Sequence, residues 1–358
     1  MVKPRECILR IKPYIPGKPI EEVARELKLD KIIKLASNEN PLGPSPLALK
    51  AIEKNAKSVN LYPDDSCFYL KKRLSEIFKH PFEGIVVGNG SVEIILHIAL
   101  AFLSPEDEAI MSDVSFIMYG IATNIVGAKA IKVSVKNYKH DLKEFKNKIT
   151  ENTKVIFIDN PNNPLGSMIS KKELDEFIYE VPSHVLVVLD EAYYEYIVTS
   201  DFPRSFEYLK NKNNIIILRT FSKIYGLAGM RIGYAFTTPE IAATLSKVRL
   251  PFNVGRLSQM AAVAALDDEE HKKKSIEINE EGKEFLCREF EKMGLFYVPS
   301  YTNFILVDIK RDARDVFLKI QKRGVIVRPL GYPTTLRITI GTREQNKKLI
   351  EALKEVLK

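Results

Sequence analysis

Cysteine is scarce in this chain. Cys7, Cys67 and Cys287 are the only three in 358 residues. They are too scattered for a disulfide framework and lack the paired spacing of a zinc site. They read as reduced thiols, the expectation for a cytoplasmic enzyme. The five histidines show no HExxH or other ligand spacing, so a metal site is not expected. The opening Met1-Val2-Lys3-Pro4-Arg5-Glu6 has no apolar signal region, and no apolar run approaches the length of a membrane span. Internal repeats and low-complexity segments are absent as well. The net charge is +8, but the one dense basic run, Lys272-Lys273-Lys274, directly follows the acidic Asp267 to Glu270. No aromatic-rich basic motif accompanies it, so an anionic metabolite is favoured over nucleic acid as the partner.

What is present is an ordinary soluble composition, 45% hydrophobic and 28% charged, in a chain long enough for more than one lobe. Residues 1–30 read as an arm plus a short helix: Pro4, Pro13, Pro16, Gly17 and Pro19 impose an extended path, and Val23, Leu27 and Leu29 have helical spacing over Glu21 to Leu29. Such an arm has little core of its own and should lie on something else. Residues 31–250 read as a large domain. Strands are expected at Ile85 to Val87, Ala109 to Met111, Ala130 to Val135, Val155 to Ile158, Val185 to Leu189, Ile215 to Leu218 and Ile232 to Phe236. Their continuous apolar runs imply strands covered on both faces. With helical segments between several of them, the expected class is α/β, with a mixed, mostly parallel sheet between helices. Pro251 marks a break. Residues 251–358 then read as a smaller α+β domain with one long helical stretch, Ser258 to Met293, later strands at Val325 to Arg328 and Leu336 to Ile340, and a last helix.

Four strand ends in the large domain run into polar residues. These are Gly88-Asn89-Gly90-Ser91-Val92-Glu93, Asp159-Asn160-Pro161-Asn162-Asn163-Pro164-Leu165-Gly166, Asp190-Glu191-Ala192-Tyr193, and Thr220-Phe221-Ser222-Lys223 with Arg231 eight positions on. Ligands of open α/β sheets sit beyond the carboxyl ends of strands, so one ligand could meet all four. The glycine turn opens a helix and can bind phosphate through N–H groups, or serve turn geometry alone. Glu93 stands where a dinucleotide fingerprint has its third glycine. Asp190 ends a fully apolar strand, either as partner of a protonated pyridine nitrogen or as the cap of the next helix. Tyr193 and Asn163 could bind a phenolic oxygen, or be a packing ring and a turn former. Lys223 could form a Schiff base with a phosphorylated aldehyde such as pyridoxal phosphate. Burial and a nearby arginine would lower its pKa; the alternative is a solvated lysine. Arg231 suits a bidentate phosphate pair or a structural ion pair. Phe116 is a stacking ring or a core aromatic. Arg328 and Arg337 are either a clamp for two anionic groups or a pair of surface arginines.

Joined in order, these segments resemble the fold type I pyridoxal-phosphate-dependent aminotransferases, and within them the histidinol-phosphate aminotransferase family. The resemblance covers nearly the whole chain. Besides the four strand ends it includes Lys12-Pro13-Tyr14-Ile15-Pro16-Gly17-Lys18, Leu35-Ala36-Ser37-Asn38-Glu39-Asn40-Pro41-Leu42-Gly43, Tyr62-Pro63-Asp64 and Leu336-Arg337-Ile338-Thr339-Ile340-Gly341. It implies that Lys223 holds the cofactor aldehyde and shuttles a proton. It implies that Asp190 pairs with the ring nitrogen, and that Asn163 and Tyr193 bind the phenolic oxygen. Gly90, Ser91, Val92, Thr220, Ser222 and Arg231 are implied around the phosphate, joined by Tyr62 of a neighbouring subunit, with Phe116 stacked on the ring. Arg337 is implied to bind the carboxylate of glutamate or 2-oxoglutarate. Arg328, with Tyr14 of the partner chain, is implied to bind the phosphate of histidinol phosphate, and Asn38 to lie beside the substrate. A homodimer with composite sites follows from the same resemblance. An aromatic or broad-range aminotransferase, or a phosphothreonine decarboxylase, on the same scaffold is the alternative. Departures from the family pattern are Val92 for an acidic residue, Leu165 for the threonine of an Asn-Pro-Thr-Gly turn, and Val114-Ser115 before Phe116.

Overall fold

The protein is described by a computed structural model covering residues 2–13, 20–29, 31–330 and 332–358. Its centre is a seven-stranded sheet in the spatial order Ile85–Gly88, Gly233–Phe236, Ile215–Thr220, Leu186–Asp190, Thr153–Asp159, Glu108–Ser112, Lys129–Val133. Only Gly233–Phe236 runs antiparallel to its neighbours, so the sheet is mixed and mostly parallel, as expected.

The apolar runs explain the layers. Side chains alternate between the two faces of a strand. Ile215 and Ile217, Val187 and Leu189, and Ile156 and Ile158 enter one core, with Leu70, Leu74, Leu174 and Phe177 from covering helices. Ile216 and Leu218, Leu186 and Val188, and Val155 and Phe157 enter the other, with Ile94, Ile98, Tyr119 and Ala122. Both faces are dry, so neither alternate position can be polar. Each fully buried aliphatic side chain contributes roughly 1.5–3 kcal/mol, so the central strands are held between the two cores by their own sequence.

A second, antiparallel sheet has the order Arg328–Pro329, Thr335–Thr339, Phe304–Asp308, Phe296–Tyr297. Its core includes Leu286, Phe290, Ile305, Ile338 and Leu349, together with Leu35 from early in the chain. Leu35 follows Ile33–Lys34, which pairs parallel with Val325–Ile326. The segment after residue 31 is thus tied to the later sheet. Helix Arg256–Leu266, by contrast, buries Ala261, Ala262 and Ala265 in the core of the seven-stranded sheet. Packing crosses both expected domain limits.

Three details differ from the expected elements. The stretch Ser258 to Met293 is two helices, Arg256–Leu266 and Glu269–Lys292, because the Asp268 side chain accepts the His271 N–H and caps a new start. Val325 to Arg328 is two short strands in two sheets, split at the buried Val327. The early helix spans Ile20–Leu27 and buries Val23 against Ala36 and Ile326. Arg5, in the arm, donates to the carbonyl of Ile125 at 2.7 Å. Among the described residues no helix is long and apolar enough to cross a membrane.

One buried ion pair locks two central strands. The Arg219 guanidinium, 1% exposed, donates to Glu191 Oε2 from Nε at 3.0 Å and Nη2 at 2.8 Å. The Tyr194 ring lies 3.5 Å from its central carbon, and Ser205 donates to the other Glu191 oxygen. Removing one partner leaves a charge in a dry interior. Glu191→Ala is therefore expected to lower unfolding free energy by about 3–5 kcal/mol, measured by denaturant titration. Adding Arg219→Met should recover part of the loss.

Candidate active site

The carboxyl ends of four strands lie at one edge of the large sheet. Gly88 and Thr220 both pair with Gly233, and Asp190 pairs with Asp159 on one side and Leu218 on the other. Beyond them is a cavity of about 260 Å³. Its wall includes Ser91, Val92, Phe116, Asn163, Asp190, Tyr193, Thr220, Ser222, Lys223 and Arg231. These ten expected residues meet although 140 positions separate the first from the last (231 − 91 = 140).

The phosphate end is built by the absence of side chains. Gly90 has φ +80° and stands just before helix Ser91–Phe102, so the helix N–H groups face outward. A Cβ on Gly90 would lie 2.6 Å from Arg231 Nη2, and one on Gly233 would lie 2.4 Å from the Ser91 nitrogen. Thr220 and Ser222 hydroxyls sit 3.0 Å apart beside them. Helix N–H groups, hydroxyls and one guanidinium form a donor set suited to a phosphate.

At the opposite polarity stands Asp190. Its Oδ2 accepts from the Tyr119 hydroxyl at 2.8 Å, and its Oδ1 from the Ala192 N–H at 3.1 Å. Burial pushes its carboxyl up to about 7; the Tyr119 hydrogen bond opposes the rise and the charge of Asp159 adds to it. A cation placed there would hold the carboxylate ionised. Between the two ends, the Tyr193 oxygen accepts from Asn38 Nδ2 at 2.8 Å, which leaves the phenolic hydrogen available to donate. Burial pushes this phenol up to about 12, with Arg337 and Asn38 opposing, so it stays protonated. Asn163 accepts from Arg337 Nη1 at 2.6 Å through Oδ1, and its amide nitrogen remains a donor.

Lys223 Nζ lies 3.4 Å from the Ser37 carbonyl and 5.8 Å from the centre of the Tyr193 ring. Burial, joined by the positive charges of Arg337 and Arg231 and opposed by Glu39 and Asp190, lowers its pKa to about 8. It is thus a nucleophilic amine near neutral pH. A carboxylate for a ring nitrogen, two donors for a phenolic oxygen, an amine for an aldehyde and a phosphate cradle together fit pyridoxal phosphate.

The arginines come from the second sheet. Arg328 and Arg337 are direct partners across an antiparallel pair, so both side chains leave the same face. Arg337 reaches the cavity rim, where Nη2 donates to the Ala36 carbonyl at 2.7 Å. Asn38, at φ +57°, is fixed by Thr339 and Asn303. Tyr62 is 77% exposed, stacked on Phe252 at 4.6 Å, and is not part of the cavity wall of its own chain. Tyr14 lies outside the described residues. Leu165 departs from the expected threonine because it is buried against Val298 and Leu306.

Among the wall residues outside the expected set, four carry polar side chains: Ser37, Glu39, Tyr119 and Asp159. Two carried a usable signal. Asp159 ends an apolar strand just as Asp190 does. Tyr119 lies at the start of helix Met118–Val126 just after Phe116, so the two aromatics arrive at the cavity on one segment.

The whole chain was compared with known proteins. The family model for aminotransferase class I and II matches residues 30–353. Histidinol-phosphate aminotransferase of Moorella thermoacetica is 51% identical, over 99% of this chain and 93% of the relative. That of Caldicellulosiruptor saccharolyticus is 49% identical, over 99% of both. Among solved structures, histidinol-phosphate aminotransferase from Sinorhizobium meliloti in complex with pyridoxal-5'-phosphate superposes with a TM-score of 0.92 at 28% identity, covering 100% of this chain and 98% of the other.

The lysine makes a test possible without any ligand. In protein stripped of cofactor, acylation of Lys223 should rise with a midpoint near pH 8, since only the neutral amine reacts. Arg337→Gln removes a positive neighbour and should move that midpoint upward. Peptide mass spectrometry across a pH series reads both.

Proposed function

The chain belongs to the class I and II aminotransferase family, and from that membership we propose that it transfers the amino group of L-histidinol phosphate to 2-oxoglutarate, giving imidazole-acetol phosphate and L-glutamate in histidine biosynthesis. The observation that carries the substrate is the side-by-side placement of Arg328 and Arg337 next to a site that already has its own phosphate cradle. One guanidinium suits the carboxylate of glutamate or 2-oxoglutarate, the other the phosphate of histidinol phosphate. Identity near 50% over the full length to relatives of that name supports the same substrate.

Pyridoxal phosphate, when bound, supplies an electron sink for the bond cleaved at the substrate Cα. The residues around it divide the work. Gly90, Ser91, Val92, Thr220, Ser222 and Arg231 would hold the phosphate, Phe116 would stack on the ring, and Asn163 and Tyr193 would donate to the phenolic oxygen. Asp190 keeps the proton on the ring nitrogen, which in turn keeps Asp190 ionised despite its burial. Lys223, neutral at modest cost in this field, would take the proton from the substrate Cα. Arg337 orients the α-carboxylate of the second substrate, and Asn38 closes the rim through its hydrogen bond to Tyr193.

A homodimer fits the surface. Leu61, Tyr62, Leu250 and Phe252 are exposed apolar side chains, with Tyr62 and Phe252 in mutual contact. Exposed clusters of this kind mark association surfaces. In that arrangement the exposed Tyr62 would reach the partner's cofactor phosphate. The free thiols Cys7, Cys67 and Cys287 suit a cytoplasmic location.

The test is a half-reaction. L-Histidinol phosphate added to the loaded protein should abolish the visible absorbance band, and 2-oxoglutarate should restore it; phenylalanine should act far more slowly. Arg328→Gln should weaken use of histidinol phosphate by about 10- to 100-fold, the worth of a charge-assisted hydrogen bond, with little effect on phenylalanine. Equal loss for both amines would remove Arg328 from phosphate binding.

A further inference from the structure

Asp159 takes no part in the contacts assigned above, yet it lies level with Asp190. The two are register partners on adjacent parallel strands, so their side chains leave the sheet on the same face. Both are buried and both form the cavity wall. A second carboxylate at this depth is costly unless something holds it.

Its own partners are all donors. Oδ2 accepts the Asn163 N–H at 2.8 Å, and Oδ1 lies 3.3 Å from Asn162 Nδ2 and 3.3 Å from His140 Nε2. His140 Nε2 is also 2.9 Å from the Asp159 carbonyl, while Nδ1 is 2.6 Å from the Ser112 hydroxyl. The Asn163 turn is thereby anchored beneath by Asp159 and above by Arg337.

We propose that Asp159 is a positioning residue for the cofactor: it fixes the Asn163 turn through the Asn163 N–H and adds its negative charge to that of Asp190 in favour of a protonated ring nitrogen. The inference rests on the pyridoxal phosphate site proposed above, not on which amine is the substrate. A single carboxylate would have to hold the ring proton alone, whereas two in register keep a net negative field after the nitrogen is protonated. His140 holds the second carboxylate in place, and Ser112 in turn holds His140.

Asp159→Asn removes the charge and keeps an oxygen for the Asn163 N–H. Stripped wild-type and variant protein are titrated in a calorimeter with two probes, pyridoxal phosphate and its 1-deaza analogue, in which C–H replaces the ring nitrogen. The expected result is a dissociation constant for pyridoxal phosphate at least ~10-fold weaker in the variant, one pKa unit's worth, with that for the analogue unchanged. A merely structural role would weaken both probes equally, and that outcome, or no weakening of either, overturns the proposal. In Asp159→Ser, which also loses the oxygen that accepts the Asn163 N–H, both probes are expected to weaken, pyridoxal phosphate by a further ~10-fold; equal weakening of both there overturns the charge role. Failure of the wild-type half-reaction with histidinol phosphate would overturn the substrate assignment and leave this comparison intact.

Discussion

Asp190 sits at the end of a strand whose every residue is buried, in a wall that excludes water. A carboxylate there costs several hydrogen bonds' worth of solvation, and Tyr119 and Ala192 return only two. A cation in the cavity would supply the remaining compensation and keep the carboxylate ionised. Lys223 is the mirror case, an amine whose charge is disfavoured by burial and by two arginines. The sheet holds an acid that needs a positive partner and an amine that gives up its charge easily, and both open on one cavity. A pyridine aldehyde answers both demands at once. The phosphate cradle at Gly90 and the donors at Asn163 and Tyr193 then fix how it lies.

The second sheet completes the rim through a few polar contacts. Arg337 bonds Asn163 and the Ala36 carbonyl. Thr339 holds Asn38, and Asn38 holds the Tyr193 hydroxyl. A shift of that sheet would therefore be felt by Asn163 and Tyr193 as well as by Arg337 itself. The early segment Ile33 to Asn38 belongs mechanically to this part of the molecule, because Ile33–Lys34 pairs with Val325–Ile326.

Much of this was legible in the residues. Unbroken apolar runs such as Ile215 to Leu218 have one stable solution, a strand covered on both faces, and their polar ends mark the ligand edge. Lys223, Asp190, Asn163, Tyr193 and Arg231 follow from that pattern, and the resemblance to the aminotransferases supplies their roles. What was hidden depends on side chains meeting across the sheet. Asp159 and Asp190 carry the same local signal, but only register places them side by side. The Tyr119–Asp190 hydrogen bond joins a helix to a strand 71 positions away, which no local spacing reveals. The break at Asp267-Asp268 was masked by a helical pattern that continues on both sides, and the strand split at Val327 by a run too short to show that its two halves serve different sheets.

The most direct measurement is to reduce the pyridoxal-phosphate-loaded protein with borohydride and locate the attached cofactor by peptide mass spectrometry. The label is expected on Lys223 alone, and Asp190→Ala should strongly reduce its yield at limiting cofactor. A label on another lysine, or undiminished labelling of Lys223 without Asp190, would contradict the claim that the two strand ends hold one ligand between them.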